Sequence, residues 1–153
     1  MVFNRVVEKL RGKEIYQFSV FLHNRVGALL DLVKLLNDQH VEVLALSVQD
    51  SADSAVTRMI LTDPERVQAI FDNEDVPYSL TRVLVVELQE ATNLAAMLRG
   101  ILMSEANINF SYPLMIRPEG RAALVLHVED ADFVATMLGS QGFKLMSQSD
   151  LSR

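Results

Sequence analysis

The sequence contains no cysteine in 153 residues. That absence excludes a disulfide framework, a thiolate nucleophile, an iron–sulfur cluster and a cysteine-based zinc site. Long hydrophobic runs are missing too. The apolar stretches are short and broken by charge, which argues against a membrane span. Positive charge is scarce: 14 Lys and Arg against 20 Asp and Glu leave a formal net charge of −6. Such a balance suits phosphate backbones poorly, so neither nucleic acid nor a membrane is expected as a partner. The first residues, Met1 to Arg5, lack the apolar block and small-residue cleavage site of a secretory signal. No Gly/Ser-rich or charged linker divides the chain. Half of the residues are hydrophobic, enough for a real core and against disorder. The expectation is a soluble, cytoplasmic protein of one ordinary domain or two small ones.

The periodicity favours two, because one pattern is written twice. Tyr16, Phe18, Val20 and Leu22 alternate with Gln17, Ser19, Phe21 and His23, as in a strand. From Ala28 the spacing changes, and Leu29, Leu32, Val33 and Leu36 make one helical stripe. Val41 to Gln49 reads as a strand with Leu44, Leu46 and Val48 on one face. After a turn at 50–54, Val56 to Leu61 reads as the next strand. Asp63-Pro64-Glu65 then suits a helix start, with Asp as N-cap and Pro at the first helical position. Val67, Ile70 and Phe71 supply that helix's buried stripe, and Pro77 forbids its return.

About half a chain further on the order recurs. Leu84, Val86 and Leu88 mark a strand, and Leu94, Met97, Leu98 and Ile101 a helix. Asn107–Leu114 and Ala122–Val128 read as strands around a turn at 117–120. Asp130 caps a helix carrying Phe133, Val134, Met137 and Leu138. Gly139 and Gly142 end it, and Phe143–Met146 closes the unit as a short strand. The fold class is therefore α+β: two tandem ferredoxin-like βαββαβ domains, each an antiparallel sheet with both helices on one face. Tyr78 to Leu88 reads as nearly continuous strand, so the last strand of one unit runs into the first of the next. Ahead of the repeat, Phe3, Val6, Val7 and Leu10 fit a short amphipathic helix over residues 2–11. The domains expected are 1–13 for that helix, then 14–81 and 82–153.

These residues resemble the ACT family. The text Phe18-Ser-Val-Phe-Leu-His-Asn-Arg-Val-Gly-Ala-Leu29 is similar to the family's opening strand, loop and helix. The resemblance extends through Leu36, Val41–Leu44 and Asp63–Glu65. It returns at Leu84–Leu88, Asn107–Tyr112, Arg117–Gly120 and Ala123–Asp130, covering about residues 14–148. It implies a non-catalytic regulatory protein that binds a small molecule, usually an amino acid, at domain seams, often as a homodimer. The expected site residues follow the family's strand-to-helix loop: Asn24, Arg25, Val26, Gly27, Ala28 and Leu29. Val26 stands where the family usually has Pro. In the family the start of the second strand of a neighbouring domain often completes the pocket, which adds Asn107, Ile108 and Asn109 to this composite site and implies two such sites per dimer. A weaker second site falls on Glu90, Ala91, Thr92, Asn93 and Leu94, where Asn93 replaces the usual Gly and one residue is missing.

The chemistry of such a loop is arguable from the residues. A glycine feeding a helix permits close backbone approach. The first-turn N–H groups lack intrahelical acceptors and sit at the positive end of the helix dipole, which suits a carboxylate. An α-ammonium then needs an acceptor such as an Asn or an acid. Gly27 also fits a plain tight turn, and Asn107 and Asn109 also fit a strand edge. His23 borders the first loop, where both ligand contact and simple surface exposure are open. His40 and His127 lie far from it in the repeat, so no metal and no cofactor are expected. No nucleophile elbow, phosphate loop or acid–base pair is visible, and an enzyme is not expected.

Two alternatives remain open: a regulatory small subunit of acetolactate synthase or a related biosynthetic enzyme, and a structural interaction module with a decayed pocket. Self-association is expected because Ile15, Phe21, Val41, Val43, Val83 and Val85 would form an apolar sheet face away from the helices.

Overall fold

The computed structural model describes residues 14–23, 26–50, 52–90 and 92–152. The helix expected over residues 2–11 lies outside them. The chain divides into two compact units. One comprises residues 16–81 with Ser152, the other residues 14–15 with 82–151.

The first unit opens with β1 (Ile15–His23) and α1 (Ala28–Asp38), continues through β2 (Val43–Asp50), β3 (Ser54–Leu61) and α2 (Pro64–Asn73), and enters β4 (Tyr78–Leu88). Its strands lie in the order β2-β3-β1-β4. β3 pairs antiparallel with both β1 and β2. Alternation in β1 places Tyr16, Phe18 and Val20 in a core with Leu32 and Leu36 of α1 and Val67, Ile70 and Phe71 of α2. Both helices therefore cover one sheet face. On the other face Gln17 and Ser19 are buried and bonded to each other, Nε2 to Oγ at 3.0 Å. Phe18, Phe71 and Tyr78 form a ring cluster with centroids 5.5–5.9 Å apart. Burial first, and Asp72 second, raise the Tyr78 hydroxyl pKa above its ordinary value.

Two expectations fail here for local reasons. β2 carries a bulge, its register moving from Val43↔Leu61 to Ala45↔Ile60. Leu44 is the extra residue, so it leaves the face of Leu46, and Val43 joins Leu46 on the helix-side core instead. Val41 is in that core as well. Neither Val41 nor Val43 faces away from the helices. Asp63 stands at the α2 N-cap but makes no side-chain bond, because its backbone is left-handed at φ 51°, ψ 61°. A capping side chain works from an extended backbone; Asp serves here as a residue that tolerates positive φ. Pro64 does begin the helix.

In the second unit the remainder of β4 is followed by α3 (Asn93–Met103), β5 (Ile108–Pro113), a 3₁₀ turn (Pro118–Gly120), β6 (Ala122–Val128), α4 (Ala131–Ser140) and α5 (Gln148–Leu151). The order is β4-β6-β5. Leu84, Val86, Leu126 and Val128 pack on Met97, Ile101, Val134 and Leu138. Residues 143–146 take the fourth-strand place only as a bridge. Val86 pairs with Leu145, Glu87 N–H donates to Lys144 O at 3.0 Å, and Met146 N–H donates to Val85 O at 2.8 Å. Asp130 repeats Asp63: φ 52°, ψ 62°, and no side-chain cap. α4 runs through Gly139 to Ser140 rather than stopping at the glycine. α5 has no counterpart in the sequence reading.

The exposed apolar surface is not where the sheet-face argument puts it. Ile15, Val83 and Val85 are buried, and Phe21 alone of that set is half exposed. The large exposed apolar residues include Leu98, Leu102 and Met103 on α3. No helix among the described residues is long and apolar enough to cross a membrane.

Candidate functional site

β1 delivers the chain to α1 through the first loop. Asn24 and Arg25 lie outside the described residues. Val26 is fully exposed. Gly27 is the α1 N-cap with φ 88°, a left-handed backbone that glycine adopts without a Cβ penalty. Nothing lies within 4 Å of the place a Cβ would take. The first intrahelical bond runs from Asp31 N–H to Gly27 O at 2.9 Å, and no side chain caps the helix. The earlier first-turn amides thus have no intrahelical acceptor.

Beside this helix start is a cleft of about 310 Å³. Leu22 and His23 come from the end of β1, Ala28 and Leu29 from α1, Val48 and Asp50 from β2, and Ala55 and Thr57 from β3. Pairing explains the convergence: Leu22 opposes Ala55, Asp50 opposes Ala55 from the other side, and Val48 opposes Thr57. Thr57 is fully buried, and its Oγ1 has no hydrogen-bond partner. The cleft therefore combines free helix amides, an acid at its exposed rim, apolar walls and one unsatisfied hydroxyl. The loop is legible in sequence; Thr57, Asp50 and Val48 are not, because strand register brings them there.

Asn107, Ile108 and Asn109 belong to the second unit. Asn107 Nδ2 donates to Glu129 Oε1 at 3.4 Å, and its carbonyl accepts Glu129 N–H at 3.2 Å. Asn109 Nδ2 lies 3.1 Å from Nδ1 of His127, whose ring stacks on Phe110 at 4.6 Å. These contacts tie the segment to β6.

The second loop closes on itself. Thr92 Oγ1 donates to Glu90 Oε2 at 3.3 Å, and Asn93 N–H donates to Glu90 O at 3.0 Å. Ala91 lies outside the described residues. Thr92 stands at the α3 N-cap with φ −67° and no side-chain cap bond, and Asn93 has no left-handed backbone. Leu94 is partly exposed on α3. A larger cleft, about 470 Å³, lies elsewhere in this unit, against α3 and the segment after α4. Of the described second-loop residues it includes Asn93 alone. Among the described residues no cluster of three or more His, Asp or Glu is arranged to hold a metal ion.

The sequence model of the ACT domain pair matches residues 13–153, and the chain belongs to that family. Among solved structures, a protein from Bacteroides thetaiotaomicron superposes with a TM-score of 0.83 at 22% identity, over 92% of this chain and 97% of that one. The ligand-free regulatory subunit of aspartate kinase from Thermus thermophilus gives 0.56 at 11% identity, over 84% and 91%. Its Thermus flavus counterpart gives 0.52 at 12%, over 83% and 90%. At these identities the likeness is one of fold. No curated protein matches the chain significantly.

Proposed function

We propose that this chain is a non-catalytic regulatory protein that binds an amino acid in the first-unit cleft and thereby alters its association with an amino-acid biosynthetic enzyme in the cytoplasm. The observation that carries the reading is the uncapped start of α1 at Gly27, opening on a cleft with polar and apolar walls. A ligand carboxylate fits the α1 amides, where bare N–H groups and the helix dipole act together. The ammonium fits Asp50. The closed second loop supports a single working loop per chain.

Thermal shift and calorimetry against each of the twenty amino acids test the reading. A ligand at about one hundred times its Kd should stabilise the protein by about 2.7 kcal/mol. Gly27→Val should abolish that gain. It forces a β-branched residue to φ 88°, a strain of about 1–2 kcal/mol, and places a side chain beside the amides. No stabilisation by any amino acid would leave a structural module with a decayed pocket.

The exposed Leu98, Leu102 and Met103 of α3 support self-association as a homodimer. Light scattering at micromolar concentration should report twice the chain mass. Leu102→Glu should reduce it to a monomer. A monomeric wild-type protein would remove the dimer from the proposal and leave the cleft untouched.

A further inference from the structure

We infer that Thr57 selects the ligand of the first-unit cleft, favouring an α-amino acid whose side chain ends in a hydroxyl or amide, and that each chain holds one such site. This rests on the reading of that cleft as an amino-acid site. A buried hydroxyl without a partner costs stability, so its presence in a core strand calls for an explanation. The repeat provides an internal control. In the first unit Val20 pairs with Thr57, and Thr57 lies six residues before the left-handed N-cap Asp63. In the second, Val86 pairs with Leu124, and Leu124 lies six residues before the left-handed N-cap Asp130. The two positions are equivalent in the fold. Leu124 packs on the second-unit core, as sheet physics alone would have it. The first unit carries a hydroxyl there instead, beside the cleft and with no acceptor or donor.

Depth assigns the ligand's ends. Asp50 is exposed at the rim and Thr57 is fully buried at the floor. With the carboxylate on the α1 amides and the ammonium on Asp50, the ligand side chain runs along Leu22 and Leu29 toward Thr57. Rotation about χ1 presents either the hydroxyl or the methyl of a threonine to its neighbours. A hydrocarbon tip would leave the hydroxyl as it is in the free chain, buried and unpaired. A polar tip would satisfy it. Sites built around a hydrogen bond discriminate strongly against the isostere that lacks it.

The test pairs isosteres by calorimetry on the full chain: threonine against valine, serine against alanine, and asparagine against leucine. The wild-type protein should bind the polar member of at least one pair about tenfold or more tighter, at one ligand per chain. Thr57→Val should level that preference. It should also raise the ligand-free melting temperature by about 2–4 °C, since it removes an unpaired buried hydroxyl. An unchanged preference in Thr57→Val, a preference for the hydrocarbon member, a lowered ligand-free melting temperature, or two ligands per chain would each overturn the inference and leave the cleft an amino-acid site. If no amino acid binds the wild-type protein, the functional reading itself fails and takes this one with it.

Discussion

Phe18→Ala should lower stability by about 3–5 kcal/mol, the largest effect expected of any single substitution in the first unit. Phe18 is fully buried at the centre of its core. It meets Phe71 edge-on, with centroids 5.9 Å apart at 83°, and Tyr78 at 5.6 Å. Truncation removes the transfer free energy of a phenyl ring and leaves a cavity that two helices and three strands cannot close without losing their own contacts. It also deletes two aromatic pairs, each contributing about 0.5–1.5 kcal/mol beyond area. Against a total of about 5–15 kcal/mol, this loss leaves the unit marginal. The comparison is Phe21→Ala, three residues along the same strand. Phe21 is half exposed on the opposite face, so about 1 kcal/mol or less is expected. Urea denaturation of both variants reads the difference. Equal losses would show that the alternation of β1 does not divide core from surface.

Arg121→Ala should destabilise the second unit, while Glu87→Leu should leave its stability nearly unchanged. The asymmetry comes from burial. The Glu87 side chain is 3% exposed, whereas Arg121, whose Nη1 lies 2.8 Å from Glu87 Oε1, is 47% exposed. The hydrogen bond to Glu87, reinforced by its charge, holds the guanidinium pKa above its ordinary value. Without Arg121 the carboxylate keeps, among the described residues, only Lys144, whose Nζ is 3.9 Å from Oε2. A buried charge then lies nearly uncompensated. Without Glu87, the guanidinium simply turns to water, and Leu fills the buried space. The double variant Glu87→Leu/Arg121→Ala should recover most of the loss suffered by Arg121→Ala. If the two single variants lose equally, the carboxylate is not desolvated and its burial carries no energetic consequence.

Glu87 illustrates where reading by period stops. In sequence it is the polar alternate between Val86 and Leu88, the position that ordinarily faces water. In the structure it is buried, and its partner is Arg121, just ahead of β6 and thirty-four residues away. Leu44 and Val43 exchange roles for a related reason: a bulge adds one residue, and every later side chain changes face. The N-caps Asp63 and Asp130 were legible as helix starts, but their left-handed backbone was not. Asp is common both at capping positions and at positive φ, and sequence does not distinguish the two uses.

The candidate site divides along the same line. Its loop, Val26 to Leu29, is contiguous and announces itself through a glycine between a strand and a helix. Its floor and rim, Thr57 and Asp50, sit on two other strands and meet the loop only through pairing. In the second loop the sequence shows a missing residue and an Asn in place of Gly. How it is sealed, through Thr92 and Asn93 onto Glu90, depends on the turn's geometry.

Sequence by itself determined the doubled β-α-β-β-α-β order, the helix stripes and the strand that runs from one unit into the next. Each is set by spacing along a short stretch, where the side-chain period is imposed by local backbone geometry. Tertiary structure alone decided the bulge in β2, the buried ion pair of Glu87 and the unpaired hydroxyl at the cleft floor. Those depend on which residues oppose one another across strands, a register set by packing between distant segments and not by any one of them.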